Sequence, residues 1–374
     1  MVRFLVLLLV IAAAPDLPAQ KKCYVCKGEG FIVCKKKQHN AKKLCGKWKF
    51  EHKCSAVLTA SCCRGLQKVH CTRCNDPIAE AEILEEIDQR KLWVDRQKAW
   101  MKPTNVRVAT IETKEFILHF SIPRWSGKGM RYTRSKAAHL FAYRLQTTAD
   151  RFREITGVLP HRKQRMYMVA SGTENSIVTV NKMGGGYTGP FRRSGLSGSV
   201  CTWPDPRNPR LLDDDKNMHS HVVHMGTHLL HRASHKFNRE NPPWLSCGLS
   251  HWMDLELTEQ TRDFCFNERS AKSPWNLVEW KTKIYGEVAS RREIQFAEVI
   301  AKKTLDQTDH RDHAYAYSYI DFMISAYPAK FKAFYKSIKS SNSTKKAIDD
   351  VFNWSTSSFH DYWRKWVIKN YARK

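Results

Sequence analysis

The sequence predicts an α+β protein preceded by a small cysteine-rich module. Three observations point there. Strand-like runs rich in β-branched and aromatic residues fall between residues 107 and 200, and helical periodicity dominates from about residue 213 onward. Nine of the twelve cysteines are crowded between Cys23 and Cys74, leaving Cys201, Cys247 and Cys265 for the rest of the chain. Hydrophobic residues make up 42% and aromatics 11% of the 374 residues, enough for a sizeable core and against a disordered chain.

Residues 1–19 join one Arg to an apolar run, Phe4 to Ala14, and then small residues and a Pro, which is a secretory signal pattern with a cut expected after Ala19. An uncleaved membrane anchor is the alternative, but the run is shorter than the ~20 apolar residues a bilayer needs, and no second stretch approaches that length. The protein is therefore expected to be exported, without a transmembrane helix in its mature form.

Residues 20–77 form the module, and residues 78–103 a helical linker without Gly or Pro until Pro103. The domain that follows, 104–374, opens with RVATIETKEFILHFSI (107–122), a strand or hairpin. Residues 133–157 then read as a helix capped by Thr133 or Ser135 and ended by Gly157. RMYMVA (165–170) is a further strand. GGGYTGPFRRSGLSGSV (184–200) is a loop entering a strand; it lacks the Gly-Lys-Ser/Thr ending of a phosphate loop.

The formal net charge of +27 draws the protein to polyanions such as an anionic cell-envelope polymer or membrane surface. The basic residues are spread along the chain and match no nucleic-acid motif, so specific nucleic-acid binding is not expected. The module is especially basic: 14 Lys and Arg against three acids in residues 20–78 give +11.

The densest chemical signal is HSHVVHMGTHLLHRASH (219–235). On a helix of about 100° per residue, His221, His224, His228, His231 and His235 fall within an arc of roughly 80°. Asp213, Asp214 and Asp215 precede the stripe, where acids favour a helix N-terminus, and Pro242-Pro243 close it off. His224 and His228 are four apart, so their imidazoles can converge on one zinc ion. The bland alternative is a solvated polar face.

The context of this pair resembles the gluzincin, or peptidase MA-like, zinc metallopeptidases. In that family HExxH is followed by a helix carrying a WL-x-EG-x-A-x-x-x-E pattern whose first Glu is the third ligand. Here His224-Met-Gly-Thr-His228 is followed by Trp244-Leu-Ser-Cys247-Gly-Leu-Ser-His251-Trp-Met-Asp254. HAYAYSYIDFMI (313–324) resembles the later helix that supplies a Tyr near the metal, and FNWSTSSFHDYWRKWV (352–367) the closing helix. The similarity spans roughly residues 105–370. The two-part layout also resembles exported planctomycete-type proteins.

The resemblance implies a zinc site of His224, His228 and Cys247, with His251 as an alternative third ligand, Asp254 as an acceptor behind a ligand, and Tyr315 as an oxyanion donor. Each has a plainer reading: a small buried thiol for Cys247, a surface ring for His251, a helix charge for Asp254, and an aromatic packing stripe for Tyr315 with Tyr319. Met225 stands where the family has its general-base Glu. A thioether can neither take nor give a proton, and general acid–base work is worth about 10² to 10⁴ in rate. Hydrolysis by the usual route should therefore be crippled. Cys247 in place of a Glu ligand is tolerable, since His₂Cys is a usable zinc set.

In the module, Cys23-Tyr-Val-Cys26-Lys-Gly-Glu-Gly and Cys71-Thr-Arg-Cys74 have zinc-knuckle spacing and also resemble the zinc repeats of J-domain co-chaperones. Cys23, Cys26, Cys71 and Cys74 can close one Cys₄ site. Cys34, Cys54, Cys62 and Cys63, with Cys45, His39 and His52 nearby, can supply a second. Disulfides are the competing expectation in an oxidising compartment. Three functions stay open: a zinc-stabilised binding or scaffold domain facing a peptide, protein or anionic polymer; an active zinc hydrolase with a non-standard base; and a disulfide-stapled structural protein without metal.

Overall fold

The computed structural model describes residues 25, 29, 31–33, 50–55, 68–127, 130–183, 199–202, 215–234, 242–259, 279–341 and 343–372. The chain divides into two compact units, residues 1–44 with 57–96, and residues 45–56 with 97–374. The expected signal segment, Cys23, Cys26, Cys34, Cys45, Cys62, Cys63, Cys265, His39 and His235 lie outside the described residues.

In the first unit, β1 (Phe31–Val33) pairs antiparallel with β3 (Lys68–His70). The Cys71–Cys74 segment then turns tightly. The Asn75 amide donates to the Cys71 carbonyl at 3.1 Å, and Asn75 takes the left-handed conformation with φ 47°. Cys71 is buried and Cys74 exposed. Asp76 accepts from the amides of Ile78 and Ala79 and so caps α1 (Pro77–Met101). The part of α1 up to Arg96 belongs to this unit.

The second unit is a mixed α+β domain. Its five-stranded sheet runs β2 (Lys53–Cys54), β4 (Ala109–Glu112), β5 (Phe116–Phe120), β8 (Gln164–Met168), β9 (Ser199–Thr202). β2, β4 and β5 are antiparallel neighbours, whereas β5, β8 and β9 run parallel. A separate hairpin joins β6 (Arg124–Gly127) to β7 (Met130–Thr133). The position of β2 differs from the sequence expectation, which kept residues 20–77 together. Lys53 and Cys54 pair with Glu112 and Ile111, and Cys54 is 1% exposed. Backbone pairing therefore draws this stretch into the larger unit.

All five residues of β5 are buried, because both sheet faces are covered. On one face Phe120 stacks on Phe141 of α2 (Arg134–Thr156). The Thr133 side chain caps α2, and Gly157 ends it at φ 71°, as its sequence predicts. The opposite face holds Tyr167, Cys201, Met101, Val106 and Val178, the last from α3 (Gly172–Met183).

The C-terminal half is helical: α4 (Asp215–Ser234), α5 (Pro243–Thr258), α6 (Trp280–Ala289), α7 (Phe296–Ala301), α8 (His310–Ala326), α9 (Pro328–Ser341), α10 (Thr344–Phe352) and α11 (Thr356–Asn370). Side chains of Asp309, Ser343 and Ser355 cap α8, α10 and α11. Two glycines set close approaches. A Cβ on Gly226 would stand 3.0 Å from Leu145 Cδ2, and one on Gly248 only 2.5 Å from the Ala316 carbonyl oxygen. The second leaves no room for any side chain where α5 crosses α8. Asp321 fastens the far end of this layer, accepting from Trp252 Nε1 at 3.1 Å and Tyr371 at 2.8 Å and pairing with Lys281 at 3.1 Å. Among the described residues no helix is long and apolar enough to cross a membrane.

Candidate metal centre

Helix α4 carries the histidine stripe, and its N-terminus is anchored before the stripe begins. Arg144 of α2 grips Asp215 with a two-pronged pair, Nη1–Oδ1 2.7 Å and Nη2–Oδ2 2.6 Å. The stripe faces inward. His221, His224, His228 and His231 are all buried, so the solvated-face reading does not hold.

His224 and His228, one helical turn apart, bring their Nε2 atoms to 3.1 Å. His228 Nδ1 meets Ser246 Oγ of α5 at 2.9 Å. When that nitrogen donates to Ser246, the Nε2 lone pair of His228 is aimed at His224. His251 of α5 packs edge-on against His224, with ring centroids 4.7 Å apart. Its Nε2 lies 3.3 Å from His313 Nδ1 of α8, and His313 Nε2 lies 3.0 Å from Thr308 Oγ1. Four imidazoles from three helices thus form one buried cluster. Burial, and then the neighbouring rings of His251, His228, His221 and His313, holds His224 well below the usual imidazole range. His224 is therefore neutral at physiological pH, the state a metal ligand requires.

The nitrogen pair fits two positions of a tetrahedral ion. At Zn–N distances of about 2.0–2.1 Å, two nitrogens 3.1 Å apart subtend roughly 100°. A third donor is not in place: among the described residues no group of three or more His, Cys, Asp or Glu side chains is arranged to hold a metal ion. Cys247 is buried on α5, directly after Ser246, which touches His228, and one turn before His251, which touches His224.

The other expected residues are distributed as follows. Met225 is buried on α4. Asp254 accepts from Ser220 at 2.8 Å and Thr258 at 3.0 Å. Tyr315 donates to Glu287 of α6 at 2.5 Å, and Glu287 also pairs with Arg311 at 2.7 Å. Burial and this carboxylate push the Tyr315 hydroxyl well above the ordinary phenol range. Its ring packs with Trp363 and Tyr319. Sequence reasoning passed over His313 and Ser246. The signal for His313 was present: it begins the quoted segment 313–324 and lies about 200° around the helix from Tyr315. Ser246 had none, because its role depends on how α5 meets α4.

No family model matches the chain, and no curated protein matches it in sequence.

Proposed function

We propose that α4 and α5 hold a zinc ion, and that this domain is a catalytically impaired relative of the gluzincin metallopeptidases, acting as a metal-stabilised binding or scaffold domain. The observation that carries the reading is the buried His224–His228 pair with its Nε2 atoms 3.1 Å apart. His224 and His228 would supply two donors and Cys247 the third, with His251 as its substitute. When bound, zinc would cross-link two helices and contribute to folding free energy. The chain's own residues argue against proteolysis. Met225 has no exchangeable proton, and the four imidazoles are sealed in the core, whereas catalytic zinc keeps an open position.

Elemental analysis of the purified protein tests this. Any zinc in the cysteine module stays constant, so the double variant His224→Ala, His228→Ala should lose about one equivalent relative to wild type. Cys247→Ala should weaken retention against a chelator. Unchanged zinc in the double variant would sink the proposal. Chelator-sensitive cleavage of peptide libraries by the wild type would instead support the active-hydrolase alternative.

A second reading is favoured by the His251–His313–Thr308 chain of contacts. In it the imidazoles form a hydrogen-bonded polar core without metal, and the double variant lowers thermal stability without changing zinc content.

A further inference from the structure

Away from the histidine stripe, on the opposite side of the sheet, two cations share one indole. The Arg165 guanidinium carbon of β8 lies 4.4 Å from the Trp100 ring centre, and Lys182 Nζ of α3 lies 4.8 Å from it. Trp100 is 39% exposed and is pinned by its Nε1–H, which donates to the Tyr167 hydroxyl at 2.9 Å. Neither cation has a carboxylate within ion-pair distance among the described residues; the nearby acid Glu112 is taken by Lys163 at 2.8 Å.

The hydrogen bonds of Arg165 show which edge is spent. Nη1 donates to His119 Nε2 at 3.0 Å and to Gln97 Oε1 at 3.3 Å, which uses both of its protons. His119 can accept because it is neutral: burial, Arg165 and Lys182 lower it to about 3, and its Nδ1 lies 3.0 Å from Thr110 Oγ1. The remaining edge of the guanidinium, Nε–H with Nη2–H, is the fork that matches two oxygens of a carboxylate, sulfate or phosphate. A half-buried cation facing a second cation, with only neutral acceptors, is costly unless an anion joins them.

We propose that Arg165 and Lys182, organised on Trp100, form a binding site for an oxyanion group. Arg165 supplies the two-pronged contact through Nε and Nη2, Lys182 supplies a point charge, and His119 and Gln97 hold the guanidinium in plane. This site is independent of any metal at α4 and α5.

The test follows the ¹⁵N indole resonance of Trp100, identified by its loss in Trp100→Phe, while inorganic phosphate, sulfate or glucuronate is titrated into the full chain at low ionic strength. Inorganic ions and the sugar acid separate a bare oxyanion from one carried on a ring. A saturable shift is expected. Arg165→Lys, which keeps the charge and loses the fork, should weaken binding about tenfold. Lys182→Gln, at the helix end, should weaken it about threefold. Lys339→Gln, at an exposed position of α9, should leave it unchanged. No saturable shift with any of the three anions overturns the proposal, and so does equal weakening by Lys339→Gln and Arg165→Lys, since the effect would then be general charge attraction. Thermal melts of each variant separate loss of binding from loss of fold.

Discussion

His119 and the His224–His228 pair are the same side chain in two settings, and the difference shows what distinguishes a structural imidazole from a candidate ligand. All three are buried. His119, on a strand, has both nitrogens engaged by ordinary protein groups, Thr110 at Nδ1 and Arg165 at Nε2. No lone pair is left over. His228 has its Nδ1 on Ser246, and its Nε2 lies 3.1 Å from the Nε2 of His224. Two like atoms at 3.1 Å can share a single proton or a single ion. Burial alone does not separate the cases; the partner of the second nitrogen does.

The largest expected effect sharpens the His119 side. Its folded-state value of about 3 lies below the ordinary 6.5, so between these pH values the unfolded chain binds a proton that the folded one refuses. Stability must then rise with pH across that window and fall as acid is added, by up to about 5 kcal/mol from this one group. His119→Gln removes the proton site. Urea midpoints measured from pH 4.5 to 7 should fall toward acid less steeply in the variant than in wild type. His139 and His219, both lowered to about 4 by burial, are present in both proteins and cancel in the comparison. Parallel pH profiles would mean that His119 takes up a proton in the folded protein as readily as in the unfolded chain, which requires Arg165, a donor only, to have left its Nε2.

The next effect concerns the pair. If His228 ligates zinc through Nε2, Ser246 fixes the ring and its tautomer from behind. Ser246→Ala should reduce zinc affinity about 10- to 100-fold, measured by chelator competition, while leaving the overall fold intact. An unchanged affinity would make His228 no better a ligand than His119, and the contrast between them would collapse.

Much of this was legible in sequence because it is local. The stripe, the Thr133 and Gly157 helix ends, the β4–β5 hairpin and the late helices follow from periodicity and capping within a few residues. What was missed depends on tertiary approach. Lys53–Cys54 is too short to announce a strand, and only pairing with β4 makes it one. His313 meets His251 because Gly248 lets α5 sit against α8, a fact about two residues 62 positions apart in sequence. Arg165, Lys182 and Trp100 come from a strand and two helices with no shared motif. The chemistry of single segments can be read in order along the chain; the chemistry of assembled surfaces cannot.

The smallest predicted effect is Thr110→Val. Valine fills the same space without the hydroxyl, so the Nδ1–H of His119 would be left buried without its acceptor. His119 could avoid this by moving the proton to Nε2, but that would set an N–H against the N–H of Arg165 at 3.0 Å. The tautomer should therefore hold, and the cost should appear as stability, about 1 to 2 kcal/mol in a urea titration. The ¹⁵N shifts of the ring should still report a protonated Nδ1. A ring found protonated at Nε2 would show that Arg165, not His119, is the mobile member. It would also weaken the argument that the guanidinium is held ready for an anion.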